Sequence, residues 1–206
     1  MAGVAGYVFR VKKSGASTGF TGETASNTTG NTWVIDDTNK NLFDRSLAVN
    51  FYDNGVLIDS ADIDSIDYLF GKVTFTGVKS GPITIDGSYI PLVDIASAKE
   101  TTLNLTSAIL DNTAINNTGY HSKTYGVHDV SVSVTRFYDY NEDFASILNA
   151  RQPLVIDVTP NPNKSYRGWF VMESNEISLD IDSLEDQSIS FSLDGDEVKG
   201  ANFSIN

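Results

Sequence analysis

A chain of 206 residues with 40% apolar content can bury one sizeable core or two small ones. Its 27 acidic residues outnumber 14 basic ones, for a net charge of −13, and its one basic cluster is Lys12–Lys13 with Arg10 beside it. That balance argues against a duplex-binding surface and against adhesion to anionic membranes, and the absence of cysteine excludes disulfides, thiolate metal sites and cysteine nucleophiles.

The opening MAGVAGYVFRVKK places its charge after its apolar residues, the reverse of a secretory signal. No apolar run approaches the roughly eighteen residues that span a bilayer, so a soluble protein of a cytosol-like compartment is expected. Residues 4–11 read as a short strand or an ordered arm. Ser14–Thr32 is rich in Gly, Ser, Thr and Asn with Phe20 as its main apolar residue, and reads as a flexible loop or a segment that orders on assembly.

Strand candidates follow at Thr32–Ile35, Leu47–Tyr52, Val56–Ile58, Val73–Phe75 and Ile83–Ile85. Asp53-Asn54-Gly55 is a hairpin turn. In SADIDSIDYLFG the spacing of Ile63, Ile66 and Phe70 predicts one or two helical turns closed by Gly71. Glu100–Leu110 alternates through Leu103 and Leu105, then loses phase and enters a long polar loop, Asp111–Asp129. Val130–Phe137 resumes strict alternation, with Val132 and Val134 between Ser131, Ser133 and Thr135.

NEDFASILNAR is the clearest helix. Asn141 or Asp143 caps it, Phe144, Ile147 and Leu148 form its apolar face, and Pro153 ends it. Leu154–Val158 is an apolar strand and TPNPNKS a turn. Gly168–Glu173, Glu176–Ile181 and Ser188–Leu193 complete the series. The apolar sides of the last two are Ile177, Leu179, Ile181 and Ile189, Phe191, Leu193. One packed α-helix among many strands predicts a mainly β protein, a β-sandwich or barrel, over a single domain 1–206.

Catalytic chemistry is sparse. His121 and His128 share the long loop, but a zinc site needs three or four converging ligands. The runs DIDSID and DIDSLED lack the glycine and terminal glutamate of an EF-hand. No Walker, dinucleotide or nucleophile-elbow glycine pattern occurs. No enzyme, metal or cofactor is expected. Tyr120, Tyr125, Tyr138 and Tyr140 cluster near the loop, where exposed aromatics stack on sugars or anchor protein interfaces.

The run LDNTAINNTGYHSKTYGVHDVSVSVTRFYD resembles the central part of the major tail tube proteins of long-tailed, siphovirus-like bacteriophages. The shared order is an Asp-x-Thr at Asp111 and Thr113, Gly119-Tyr120, Gly126 with Asp129, an alternating strand, and Phe137-Tyr138-Asp139. A short helix at Phe144–Arg151, a strand at Pro153–Val158, Gly168-Trp169 and Ser188-Ile189-Ser190-Phe191 continue it, and YLFGKVTF resembles a segment upstream. The likeness covers roughly residues 65–195 and leaves 14–45 and the tail after Gly195 unplaced.

The resemblance implies a structural virion protein whose inner sheets join its neighbours' sheets in a ring, commonly a hexamer. Rings stack into a tube through which the genome passes without specific binding. Implied partners are further copies of the chain, the tape-measure protein, the tail terminator and the baseplate or tip. The implied location is the virion tail, assembled in the host cytoplasm. On this reading Ser131, Ser133, Ser178, Asp180 and Asp182 are candidates to face the lumen, and Phe20, Tyr120, His121 and Tyr125 to contact neighbouring subunits or rings. The alternatives are another virion component, such as a tail terminator or decoration protein, and a carbohydrate-binding β-sandwich.

Overall fold

In a computed structural model the described residues are 10–111, 123–139, 144–161, 163–178, 185–195 and 201–206. Among them the chain is mainly β, with one α-helix. Nine strands come first: β1 (Arg10–Ser14), β2 (Thr18–Thr29), β3 (Thr32–Ile35), β4 (Asn50–Asp53), β5 (Val56–Leu57), β6 (Ile63–Asp67), β7 (Lys72–Phe75), β8 (Ile83–Tyr89) and β9 (Leu92–Asp94). Then come β10 (Ala98–Asp111), β11 (Lys123–Phe137), α1 (Phe144–Ala150), β12 (Leu154–Asn161), β13 (Lys164–Ser178), β14 (Asp186–Leu193) and β15 (Phe203–Ile205). The chain divides into two compact units. Residues 1–95, 154–169 and 194–206 form the first; 96–153 and 170–193 form the second.

The first unit holds a seven-stranded antiparallel sheet in the order β5-β4-β8-β2-β3-β7-β6. It curls around its own apolar face, so Phe20 and Ala25 of β2 meet Phe51 of β4, Ile83 and Ile85 of β8, and Phe75 of β7. Phe51 and Phe75 pack edge to face, with ring centroids 6.0 Å apart. A second cluster, Leu42, Leu69, Phe70, Ile90, Val155 and Trp169, lies under β12 and the start of β13. There β1 is hydrogen-bonded between β12 and β9, and β15 pairs with β13 at Tyr166, Arg167 and Gly168.

Among the described residues of this unit there are two buried ion pairs. Asp157 of β12 meets the Arg167 guanidinium at 2.7 Å, and Arg45 meets Asp194 at 2.8 Å with its guanidinium 4.2 Å above the Trp169 ring. Gly71, at φ +61, closes the turn before β7; an added Cβ there would lie 2.8 Å from Ile35 Cγ2, so only glycine fits.

The hairpin expected at Asp53-Asn54-Gly55 is present. Asn54 and Gly55 have φ of 52° and 77°, the two left-handed residues of a type I′ turn, and Asp53 pairs with Val56 across it. A Cβ on Gly55 would meet nothing within 4 Å, so Gly55→Ala tests the backbone alone. We expect it to cost about 1–2 kcal/mol, read as a lower urea midpoint.

Three expectations are corrected. The supposed loop at 14–32 contains β2, hydrogen-bonded between β8 and β3. Residues 123–129 of the supposed loop 111–129 belong to β11, paired with β10; residues 112–122 lie outside the described set. The supposed helical turns near 63–70 are a 3₁₀ turn at Ser60–Asp62 followed by β6. Two of the strands expected late in the chain merge into β13, and the start of the expected turn TPNPNKS extends β12.

In the second unit β10, β11, β14 and residues 170–178 of β13 pair in that order, all antiparallel. The helix supplies buried Phe144, whose ring lies 5.3 Å from the buried Arg136 guanidinium of β11. Burial lowers the pKa of Arg136 from its ordinary value, and the charge of Asp139 opposes that shift. The expected caps Asn141 and Asp143 lie outside the described residues.

Candidate functional site

The strands of the second unit have two chemically opposite faces, and their register fixes which residues share each. Val132 and Val134 sit opposite Phe191 and Ile189, and all four are buried. The residues between them point the other way. On that side Thr102, Ser133, Ser190 and Ser174 form one row across four strands. The next row is Glu100, Thr135, Ser188 and Glu176. Ser131 and Ser192 continue the pattern in one direction, and Asp186 with Ser178 in the other.

This face is hydroxyl-rich and its charges are mostly acidic. The Ser174 and Ser190 hydroxyls are hydrogen-bonded at 2.7 Å, and Ser192 donates to the Glu173 carboxylate. Lys99 donates to both oxygens of Asp186 at 2.8 Å and lies 4.5 Å from the Phe137 ring centroid. Its charge is thereby spent on a carboxylate, while Glu100, Glu173 and Glu176 are exposed. Arg136 is on the buried face. Such a surface takes water readily and offers phosphates little to hold.

Of the residues chosen from the sequence, Ser131, Ser133 and Ser178 lie together on this face, Ser133 and Ser178 exposed and Ser131 half-buried. Asp180, Asp182, Tyr120 and His121 lie outside the described residues, and Tyr125 falls in β11 with its side chain outside them. Phe20 is not a free contact residue. It is 8% exposed and its ring stacks on Phe43 at 5.9 Å. Thr102, Ser174, Ser188 and Ser190 were missed: the serines of β14 read as its polar side, but nothing in the sequence placed that side beside Ser133. Pairing two alternating strands through their serines would have found them.

Among the described residues of the face no planar row of open aromatics is present; the side chains of Tyr120, Tyr125 and Tyr140 lie outside them. Tyr138 and Phe137 are each 37% exposed, and Lys99 stands over the Phe137 ring. A cavity of about 380 Å³ in the first unit is lined by Asp157 and Arg167, which are committed to each other. Among the described residues no three histidine or acidic side chains are grouped to hold a metal ion. No helix among them is long and apolar enough to cross a membrane.

No protein-family model and no curated protein matches the chain. Among solved structures, it is similar to a chain in the tail of an empty gene transfer agent particle computed with C6 symmetry, at 14% identity and a TM-score of 0.49, over 56% of this chain and 87% of that one. It is also similar to a chain in the virion of a native gene transfer agent particle, at 16% identity and a TM-score of 0.47, over 56% and 88%.

Proposed function

We propose that the chain is a structural virion protein, a subunit of a phage-type tail tube, without catalytic activity. The observation that carries this reading is the two-faced sheet of the second unit, apolar on one side and lined with hydroxyls and carboxylates on the other. As a ring of such sheets, the polar faces form a wet wall facing the passing genome. Among its described residues Lys99 is neutralised by Asp186, and repulsion by the face's carboxylates is confined to about 8 Å at physiological salt. Duplex DNA then passes without binding.

β10 ends its sheet as a fourteen-residue edge strand with Leu105, Ile109 and Leu110 exposed. An uncovered edge of that length is an aggregation hazard in a monomer, and a neighbouring copy removes it. The sequence resemblance over residues 65–195 points to the same assembly, with a hexameric ring. Tape-measure, terminator and tip proteins are its expected further partners, and the virion tail its place.

Electron microscopy of the purified protein tests this. Rings or hollow tubes are expected. A protein that stays monomeric at every concentration, with and without tail-initiator proteins, overturns the reading. Deleting 14–32 is not a usable control, because it removes β2 from the core. A better variant replaces residues 112–122 by Asn-Gly, joining the paired residues Asp111 and Lys123 through a two-residue turn. We expect an unchanged unfolding midpoint and tubes at least tenfold shorter; full-length tubes would show that this segment makes no stacking contact.

A further inference from the structure

Among the described residues the curled sheet of the first unit does not close. Its terminal strands are β5, two residues long, and β6, joined by residues 58–62. At the opening lies a groove of about 310 Å³, lined by Val49, Phe51, Leu57, Ile58 and Ile63, with Asp59 at its rim. Leu57 is 59% exposed and its neighbour Val56 69% exposed, so apolar surface continues from the groove onto the free edge.

The rim is acidic. Asp59 lines the groove, and Asp62 and Asp64 flank Ile63; all three are exposed. Lys79 pairs with Asp62 at 3.0 Å, which leaves an excess of negative charge beside an apolar trough and an open strand edge. An extended peptide laid on such an edge satisfies its backbone groups on the sheet and seats alternate side chains in the groove. The charges select what the other side chains carry. The chain's own basic run, Arg10–Lys13, is already hydrogen-bonded on both edges, to β12 and β9. It is therefore unavailable as the added strand of a second copy.

We propose that this groove docks an extended strand of a different protein, in which apolar residues alternate with lysine or arginine. The site belongs to the first unit and is independent of the tube reading.

The test uses the full chain and two fluorescent peptides, one alternating valine with lysine and one alternating valine with glutamate. The valine–lysine peptide is expected to bind, with affinity falling as salt rises, and the valine–glutamate peptide at least tenfold more weakly. Leu57→Asp, at an exposed position, is expected to weaken binding at least tenfold with an unchanged unfolding midpoint. Asp59 caps the Ser60–Asp62 turn by accepting from the Ala61 N–H at 2.9 Å; Asp59→Asn with Asp64→Asn keeps that cap and is expected to flatten the salt dependence. Equal binding of both peptides, indifference to Leu57→Asp, or absence of valine–lysine binding overturns the proposal. So does self-association of the chain that Leu57→Asp abolishes, since the occupant would then be a second copy.

Discussion

Asp157→Ala is expected to destabilise the protein by about 3–5 kcal/mol, the cost of stranding a buried guanidinium. Asp157 is 3% exposed and Arg167 6% exposed. One carboxylate oxygen takes the Arg167 Nε at 2.8 Å; the other accepts from the Thr159 and Ser165 hydroxyls, each at 2.8 Å. Arg167 also donates to Asn41 Oδ1 at 2.9 Å and to the Leu69 carbonyl, and stands 4.5 Å from the Phe70 ring centroid. Against a total of about 5–15 kcal/mol for a typical domain, losing the acid alone removes a large fraction.

The double variant Asp157→Leu with Arg167→Met separates the charge from the network around it. Replacing a buried pair by apolar groups is often neutral. Here the Thr159 and Ser165 hydroxyls, Asn41 and the Leu69 carbonyl would also lose partners, at about 1–3 kcal/mol for each polar group left unsatisfied. Only partial recovery is therefore expected. Urea midpoints of the wild type and both variants decide it. A single variant within about 1 kcal/mol of wild type would mean that solvent reaches Arg167.

The second large effect concerns the hydroxyl face. On the proposed tube reading, Ser133→Lys with Ser178→Lys should make the face hold DNA that the wild-type face would release. Both positions are exposed, so the folded subunit should change by no more than about 0.5 kcal/mol. Each lysine that meets a phosphate releases a counterion, and log K then falls with log salt by about 0.9 per contact. A ring repeats the substitution in every subunit, so duplex retained in variant tubes should fall about a thousandfold or more between about 50 and 200 mM salt. Wild-type tubes should retain none. Variant tubes of normal diameter that retain no DNA would place this face away from the lumen.

The architecture was legible wherever alternation ran unbroken. Val132, Val134, Ile189 and Phe191 gave away β11 and β14, and the serines between them gave away half of the polar face. Two of the three errors share one cause. In β2 an extra residue between Phe20 and Glu23 shifts the register, so Phe20 and Ala25 face the same core despite an odd interval. In β6 a similar shift between Ile63 and Ser65 brings Ile63 and Ile66 to one side, which imitates helical spacing. A bulge is invisible to periodicity, because it resets the phase that periodicity measures. The third error lay in residues 123–129, where polar side chains on a strand beside exposed β10 read as loop.

The row register carries an evolutionary consequence. Successive side chains of β11 belong to opposite worlds, valine to the core and serine to water, so a one-residue insertion or deletion exchanges them along the whole strand beyond it. An in-frame change of two residues moves the register yet keeps each side chain on its own face. Drift in the length of this strand should therefore proceed in even steps, or in odd ones only where a new bulge appears to absorb them.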